Sequence, residues 1–528
     1  MKRRLIILAV TAVTLLLSGT VIQQTSSVDT VSGATIHSKP KVVTITNTGL
    51  KNMDWIQAEP ELILADQAFP SDLDPAHEDN GRFTLSYGVG ETLTFLDDEQ
   101  RIQPWLAQSW ENIDPLTWEI RLESGVKYHN GTDMTAPSVK ESLERTVRIN
   151  GKAAKLLPLS SVRADGLTLT IRTLEPCPEL IHNLADPIFI IVDAGTEQKK
   201  DFSYFPVCTG PFIPVKFTGQ TEIILQRFSD YHSGISALES AAIRYAADPD
   251  KLVKALEQNK ADAAVGVPQE SLPNFVEKGY HTQQTATAAA YLLMMNMEST
   301  VLSDENMRQA IASATNRQAS SGAFAPLLPF SDDAESYPFN PGAAKLLLAD
   351  AGYADTDGDG IADKNGTKLL LRLAVTAGET ELLEWAQTLK AQLKQIGLEI
   401  SIKTYSNVFF TSRARYGKFD MLLLAAPTAK NGDAQRFFED YFASDGRLND
   451  GHYRNEQVDS AIRRLESEFE PDQRILLTDQ IQALALKDAA FIFLGYPQTK
   501  LVFEGNVSGL AVHPVYGYRL TANTTVKH

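Results

Sequence analysis

Cysteine is nearly missing from this chain: Cys177 and Cys208 are the two among 528 residues. That excludes a disulfide-dense scaffold and a cysteine-rich metal centre. Positive charge is in deficit, with 49 Lys and Arg against 66 Asp and Glu, a formal net charge of -17. Such a balance argues against binding nucleic acid or adsorbing to an anionic membrane surface. It leaves room for a local basic pocket inside an acidic shell. Catalytic motifs are absent as well. The nine histidines are scattered, with no His-x-x-x-His pair, and there is no Gly-x-Ser-x-Gly elbow or phosphate-cradling glycine loop. Gly88-Val89-Gly90 is a lone GxG in a segment that reads as strand. The expectation is a protein without a catalytic residue. No run after the N-terminus is apolar enough to span a bilayer.

What is present fits two or three domains' worth of globular chain, with 43% apolar and 22% charged residues. Met1-Lys2-Arg3-Arg4, the apolar run Leu5 to Leu17 and Ser18-Gly19 read as a signal peptide over 1–19. Thr20 stands where a lipoprotein box would carry its cysteine, so lipid attachment there is excluded and anchoring is left open. The expected location is extracytoplasmic. Residues 20–41 read as a Ser/Thr-rich tether. Beyond it, short strands are expected over Arg82 to Leu96, Thr117 to Tyr128 and Leu167 to Thr173. Thr135 or Ser138 is placed to cap a helix entered through Ala136-Pro137. Ser303 is the expected cap of a helix over 304–315. Thr380 to Ile396 has apolar residues at helical spacing, Leu398 to Thr404 alternates, and Phe491-Ile492-Phe493-Leu494 reads as a buried strand. Strands alternating with helices imply α/β lobes.

Four segments, in order, carry a family resemblance. They are Pro104-Trp105-Leu106-Ala107-Gln108-Ser109-Trp110, the run Trp118 to Arg145, Thr209-Gly210-Pro211-Phe212, and Asn306-Met307-Arg308-Gln309-Ala310-Ile311. Together they resemble the family 5 solute-binding proteins of ABC importers, over roughly 44–515. The resemblance implies a two-lobed, hinged α/β periplasmic-binding-protein-like fold: lobe one over 42–285, completed by 490–528, and lobe two over 286–489. It implies a monomer that binds a small solute, a peptide or a nickel chelate, and delivers it to a membrane permease. The aspartate that neutralises a peptide's ammonium in peptide-binding relatives falls near Lys430, which would attract a carboxylate instead. The histidine of nickel-binding relatives falls on Gln435, and the arginine that holds a chelator falls near Lys152. Lys152 and Lys430, with Arg436 as a third candidate, are therefore expected to clamp an anionic solute. Tyr87 to Leu93 resembles the nickel-type branch more than the oligopeptide branch, which remains an alternative.

Three further features carry expectations. Asp29-Thr30-Val31-Ser32-Gly33-Ala34-Thr35 resembles the motif on which a flavin transferase esterifies exported proteins with FMN. Thr35 would carry the flavin, making the chain a redox protein; a plain tether is the bland reading. Asp355, Asp357, Asp359 and Asp363, with Gly360 between them, match calcium-loop positions, although Gly366 stands where the bidentate glutamate belongs. A plain acidic turn is the alternative. In an exported chain Cys177 and Cys208 are expected to form a disulfide worth ~3–4 kcal/mol in chain entropy, with two buried free thiols as the alternative.

Overall fold

The structure is a computed structural model that describes residues 44–46, 59–317, 322–328, 330, 337–377, 380–406 and 419–527. The segments expected to be a signal peptide and a tether, Thr35 included, lie outside the described residues.

Two large sheets divide the molecule. The first runs Thr44–Thr46, Phe212–Thr218, Glu222–Arg227, Ser240–Tyr245, Leu62–Asp66, Ala263–Val265, Gln498–Phe503, His281–Ala286 in spatial order. The second runs Glu399–Tyr405, Leu370–Thr376, Met421–Pro427, Ala289–Met295, Phe491–Gly495. His281–Ala286 and Ala289–Met295 are consecutive strands in different sheets, and so are Phe491–Gly495 and Gln498–Phe503. The chain thus crosses between lobes twice, through residues 287–288 and 496–497. The two crossings touch, because Thr287 N donates to Pro497 O at 2.8 Å. This is a two-lobed α/β architecture with a paired connection.

Lobe one has a second layer. Ala107–Asp114, Thr117–Leu122, Thr168–Thr173 and Leu159–Asp165 form a four-stranded sheet. Trp118, Ile120 and Leu122 face inward and alternate with exposed Glu119 and Arg121, as a half-buried strand requires. The helix Ala136–Ile149 covers that sheet. Thr135 and Ser138 cap it together: Ser138 N donates to Thr135 Oγ1 at 3.3 Å and Thr135 N donates to Ser138 Oγ at 2.9 Å, a reciprocal box.

Three expectations are corrected. Residues 81–86 are helix, not strand. Phe83, Leu85, Tyr87 and Val89 alternate in sequence, but the helix is buried on nearly every side, so its neighbours in the alternation are not polar-facing. A Cβ on Gly88 (φ +66) would lie 2.5 Å from Leu520 O, so the chain turns at Gly88 instead of extending. The helix 305–314 is capped by Asp304, one residue beyond Ser303, whose carboxylate accepts from Asn306 N at 2.9 Å. Cys177 and Cys208 are free. Cys177 packs in the core under the four-stranded sheet and Cys208 in the core of the large sheet. Each thiol fills its own apolar site, and burial pushes both far above the usual thiol range. Among the described residues no helix is long and apolar enough to cross a membrane.

Candidate functional site

Parallel strands point their carboxyl ends toward a ligand crevice. In lobe one, Leu62–Asp66 lies parallel to Ser240–Tyr245 and Ala263–Val265. The segment following it, residues 71–82, forms one wall of the boundary between the lobes. In lobe two, Met421–Pro427 lies parallel to Leu370–Thr376, and the turn Lys430–Asp433 beyond its carboxyl end forms the opposite wall.

The lobe-one wall is held by buried polar contacts. Arg145 clasps Asp74 with both terminal nitrogens, at 3.1 and 2.5 Å, and both side chains are buried. Asn150 Nδ2 donates to Ala76 O at 2.9 Å, while its Oδ1 accepts from Lys152 N and Ala153 N at 2.8 and 3.2 Å. One amide thus caps the short helix Gly151–Leu156 and pins Lys152 against the 74–79 segment. Asp186 Oδ1 accepts from Ile188 N at 3.0 Å, leaving Oδ2 for Lys152 Nζ at 3.3 Å.

The turn Lys430–Asp433 reaches across the boundary. Lys430 Nζ donates to Asp79 Oδ1 at 3.1 Å. Asn431 Nδ2 donates to Asn183 Oδ1 at 2.7 Å, and His182 Nδ1 lies 3.1 Å from Asn431 O. Gly432 has φ +76, and a Cβ there would meet Leu96 Cδ2 at 2.5 Å. A side chain at that position is excluded by both conformation and space. Asp433 turns back into lobe two, where Arg474 donates to its Oδ2 at 3.1 and 2.7 Å.

Lys152 and Lys430, from opposite lobes, therefore meet at one place. Together with Asp79, Arg82, Glu78 and Asp186 they surround a gap of about 10 Å³, room for no more than a water. Three acids face three bases. Burial opposes the Lys430 charge, but Asp186 and Asp79 outweigh it and hold its ammonium above the usual lysine value. Burial likewise opposes the Asp79 charge, and Lys430, Lys152 and Arg82 outweigh it and hold the carboxyl below the usual range.

The remaining candidates lie elsewhere. Arg436 pairs with Glu439 at 2.9 Å on its own helix and does not line the gap. Asp355, Asp357 and Asp359 gather on an exposed loop, where Lys368 pairs with Asp357 at 3.4 Å and with Asp359. Asp363 turns away from them, accepting from Thr356 N and Oγ1 at 3.1 and 2.6 Å. Asp79, Asp186 and His182 were not singled out in the sequence. Asp79 is 351 positions from Lys430, and no local pattern marks such a pair.

Comparison with known proteins gives the family. A nickel-binding protein of Staphylococcus aureus, NikA, is 27% identical over 464 residues, spanning 84% of this chain and 90% of its own. The crystal structure of a nickel ABC transporter protein from Bacillus halodurans superposes with a TM-score of 0.78 at 29% identity, covering 88% of this chain and 99% of that one. The structure of Staphylococcus aureus NikA in complex with Ni(L-His)2 gives a TM-score of 0.71 at 25% identity, covering 89% and 100%. The family model for bacterial extracellular solute-binding proteins, family 5, matches residues 101–449, more than half of the chain, and the protein belongs to that family.

Proposed function

We propose that this chain is the solute-binding component of an ABC importer and that its solute is a compact metal chelate, a nickel–amino-acid complex, bound between the lobes. The observation that carries this reading is the meeting of Lys152–Asp186 from lobe one with Lys430–Asp79 across the boundary. The balance of three acids and three bases narrows the expectation of an anionic or carboxylate-bearing solute. A ligand bearing carboxylates and a cationic centre suits it better. An amino-acid chelate of a divalent metal has that character, and the Staphylococcus aureus relative is described in complex with such a species.

The mechanism is exchange and closure. The gap holds no solute-sized space while the pairs are joined. A solute enters as the lobes part, its carboxylates taking over the lysines and its metal centre facing the aspartates. Replacing protein–protein ion pairs by protein–solute ion pairs limits the desolvation cost that isolated charges would carry. Closure turns the solute's preference for one arrangement into a population shift, and a permease distinguishes loaded from unloaded protein by that arrangement. Binding, release and recognition suffice; no bond is made or broken.

Titration calorimetry with a nickel–histidine chelate and with a mixed peptide pool tests the reading. The chelate should bind, and Lys152→Ala should weaken it about tenfold or more, a loss of roughly 1.4 kcal/mol or above. Tight binding of peptides, unaffected by Lys152→Ala and Lys430→Ala, would return the protein to the oligopeptide branch.

A further inference from the structure

The turn Lys430–Asp433 has a second face. There it closes a cavity of about 300 Å³ between the lobes, separate from the charged gap. Trp110, Trp118 and Ile181 supply apolar wall from lobe one; Phe330, Phe469 and Ile475 supply it from lobe two. Trp118 and Phe469 meet across the boundary, ring centroids 6.2 Å apart.

Most charged groups on these walls are already engaged. Asp433 accepts twice from Arg474, whose Nη1 also donates to the carbonyls of Leu465 and Glu468 at 2.8 and 2.9 Å. The Arg101 guanidinium lies on Asp97 and Glu99, each at 3.0 Å. His182 is different. Its Nδ1 faces Asn431 O, and a carbonyl only accepts, so Nδ1 carries the proton. Burial holds the imidazole below the usual histidine range, so the ring is neutral. Nε2 is then a bare lone pair, because the ring's hydrogen bond among the described residues is the one at Nδ1. One nitrogen beside a doubly engaged carboxylate offers too few ligands for a bare metal ion. An acceptor set among flat aromatic walls instead suits a flat molecule with a donor.

We propose that this cavity is a second binding site, taking a planar heteroaromatic molecule of one or two rings that donates an N–H to His182 Nε2 and packs among Trp110, Trp118 and Phe469. Both lobes supply its walls, so an occupant bridges them. By linkage it raises the affinity of any solute that binds the closed arrangement, and that solute raises its affinity in turn.

The test uses benzimidazole and N-methylbenzimidazole, which share a ring system but differ in the N–H donor, titrated into the full chain by calorimetry and tryptophan fluorescence. Benzimidazole should bind, and the methylated probe should bind at least tenfold more weakly, as a donor-recognising site demands. His182→Phe should abolish that difference, whereas Lys152→Ala should leave it intact whatever becomes of chelate binding. Trp110→Leu should weaken both probes alike. Equal affinity of the two probes, a difference that survives His182→Phe, affinities unmoved by Trp110→Leu, or no benzimidazole binding up to about 10 mM would each overturn the proposal.

Discussion

The two faces of the turn Lys430–Asp433 solve the same problem in opposite ways. On one side, half-exposed lysines meet aspartates around a gap of about 10 Å³. On the other, aromatic rings surround about 300 Å³ and the Arg474–Asp433 pair is buried and hydrogen-bonded. Exposed pairs are weak and exchangeable; a buried, fully bonded pair is costly to break. The first face is therefore suited to trading partners with a charged solute, and the second to holding a wall in place. The difference lies in the burial of the ion pair and in the aromatic lining that only the second face has.

That comparison is most easily broken at Arg474. Removing it strands the Asp433 carboxylate and the carbonyls of Leu465 and Glu468. Arg474→Ala should cost about 3–5 kcal/mol in urea unfolding; a loss below about 1 kcal/mol would show that the two faces do not differ in this way. A smaller effect is expected at Glu179, which lies at the boundary. Burial, then Asp433 across the cleft, raises its carboxyl to about 7, against 4.5 for the free side chain. Its Oε2 has no partner among the described residues. A raised folded value means that the native state gives up stability as pH rises from 4.5 to about 7. Glu179→Gln should therefore stabilise the protein on the order of 2–3 kcal/mol above that window and leave it unchanged below it, as thermal melts at a series of pH values would report.

Lys430→Ala sharpens the comparison from the charged side. The Lys430 and Asp79 side chains are 36% and 64% exposed, so stability should change by about 0–1 kcal/mol while chelate affinity falls about tenfold. A large stability loss with unchanged affinity would make the pair structural. The smallest effect is expected at the cysteines. Reductant should not shift the melting temperature, and both thiols should resist labelling until unfolding, because each is buried in a different core.

The lobed α/β class was legible because long amphipathic helices and buried strands announce themselves: Thr380–Lys394 buries Leu382, Ala386, Leu389 and Leu393 on one face. Residues 81–86 were not legible, since a helix buried on nearly all sides shows no polar face. The cysteine pairing failed for a related reason: export permits a disulfide, but packing put each thiol in its own core. Resemblance led to Lys152 and Lys430, and the structure brings them together. Their partners Asp79 and Asp186 were invisible, being ordinary acids whose role depends on folding. His182, in Leu180-Ile181-His182-Asn183, did not stand out among the scattered histidines. Only its carbonyl partner in the other lobe fixes which nitrogen is free.

The proposed solute site is the charged face of the turn. Anomalous diffraction at the nickel edge from crystals grown with a nickel–histidine chelate tests it directly. One nickel peak is expected between the lobes on the Lys152–Lys430 side, with both lysines parted from Asp186 and Asp79 and turned to the chelate. A peak in the aromatic cavity, or a nickel site outside the cleft with both ion pairs intact, would contradict it.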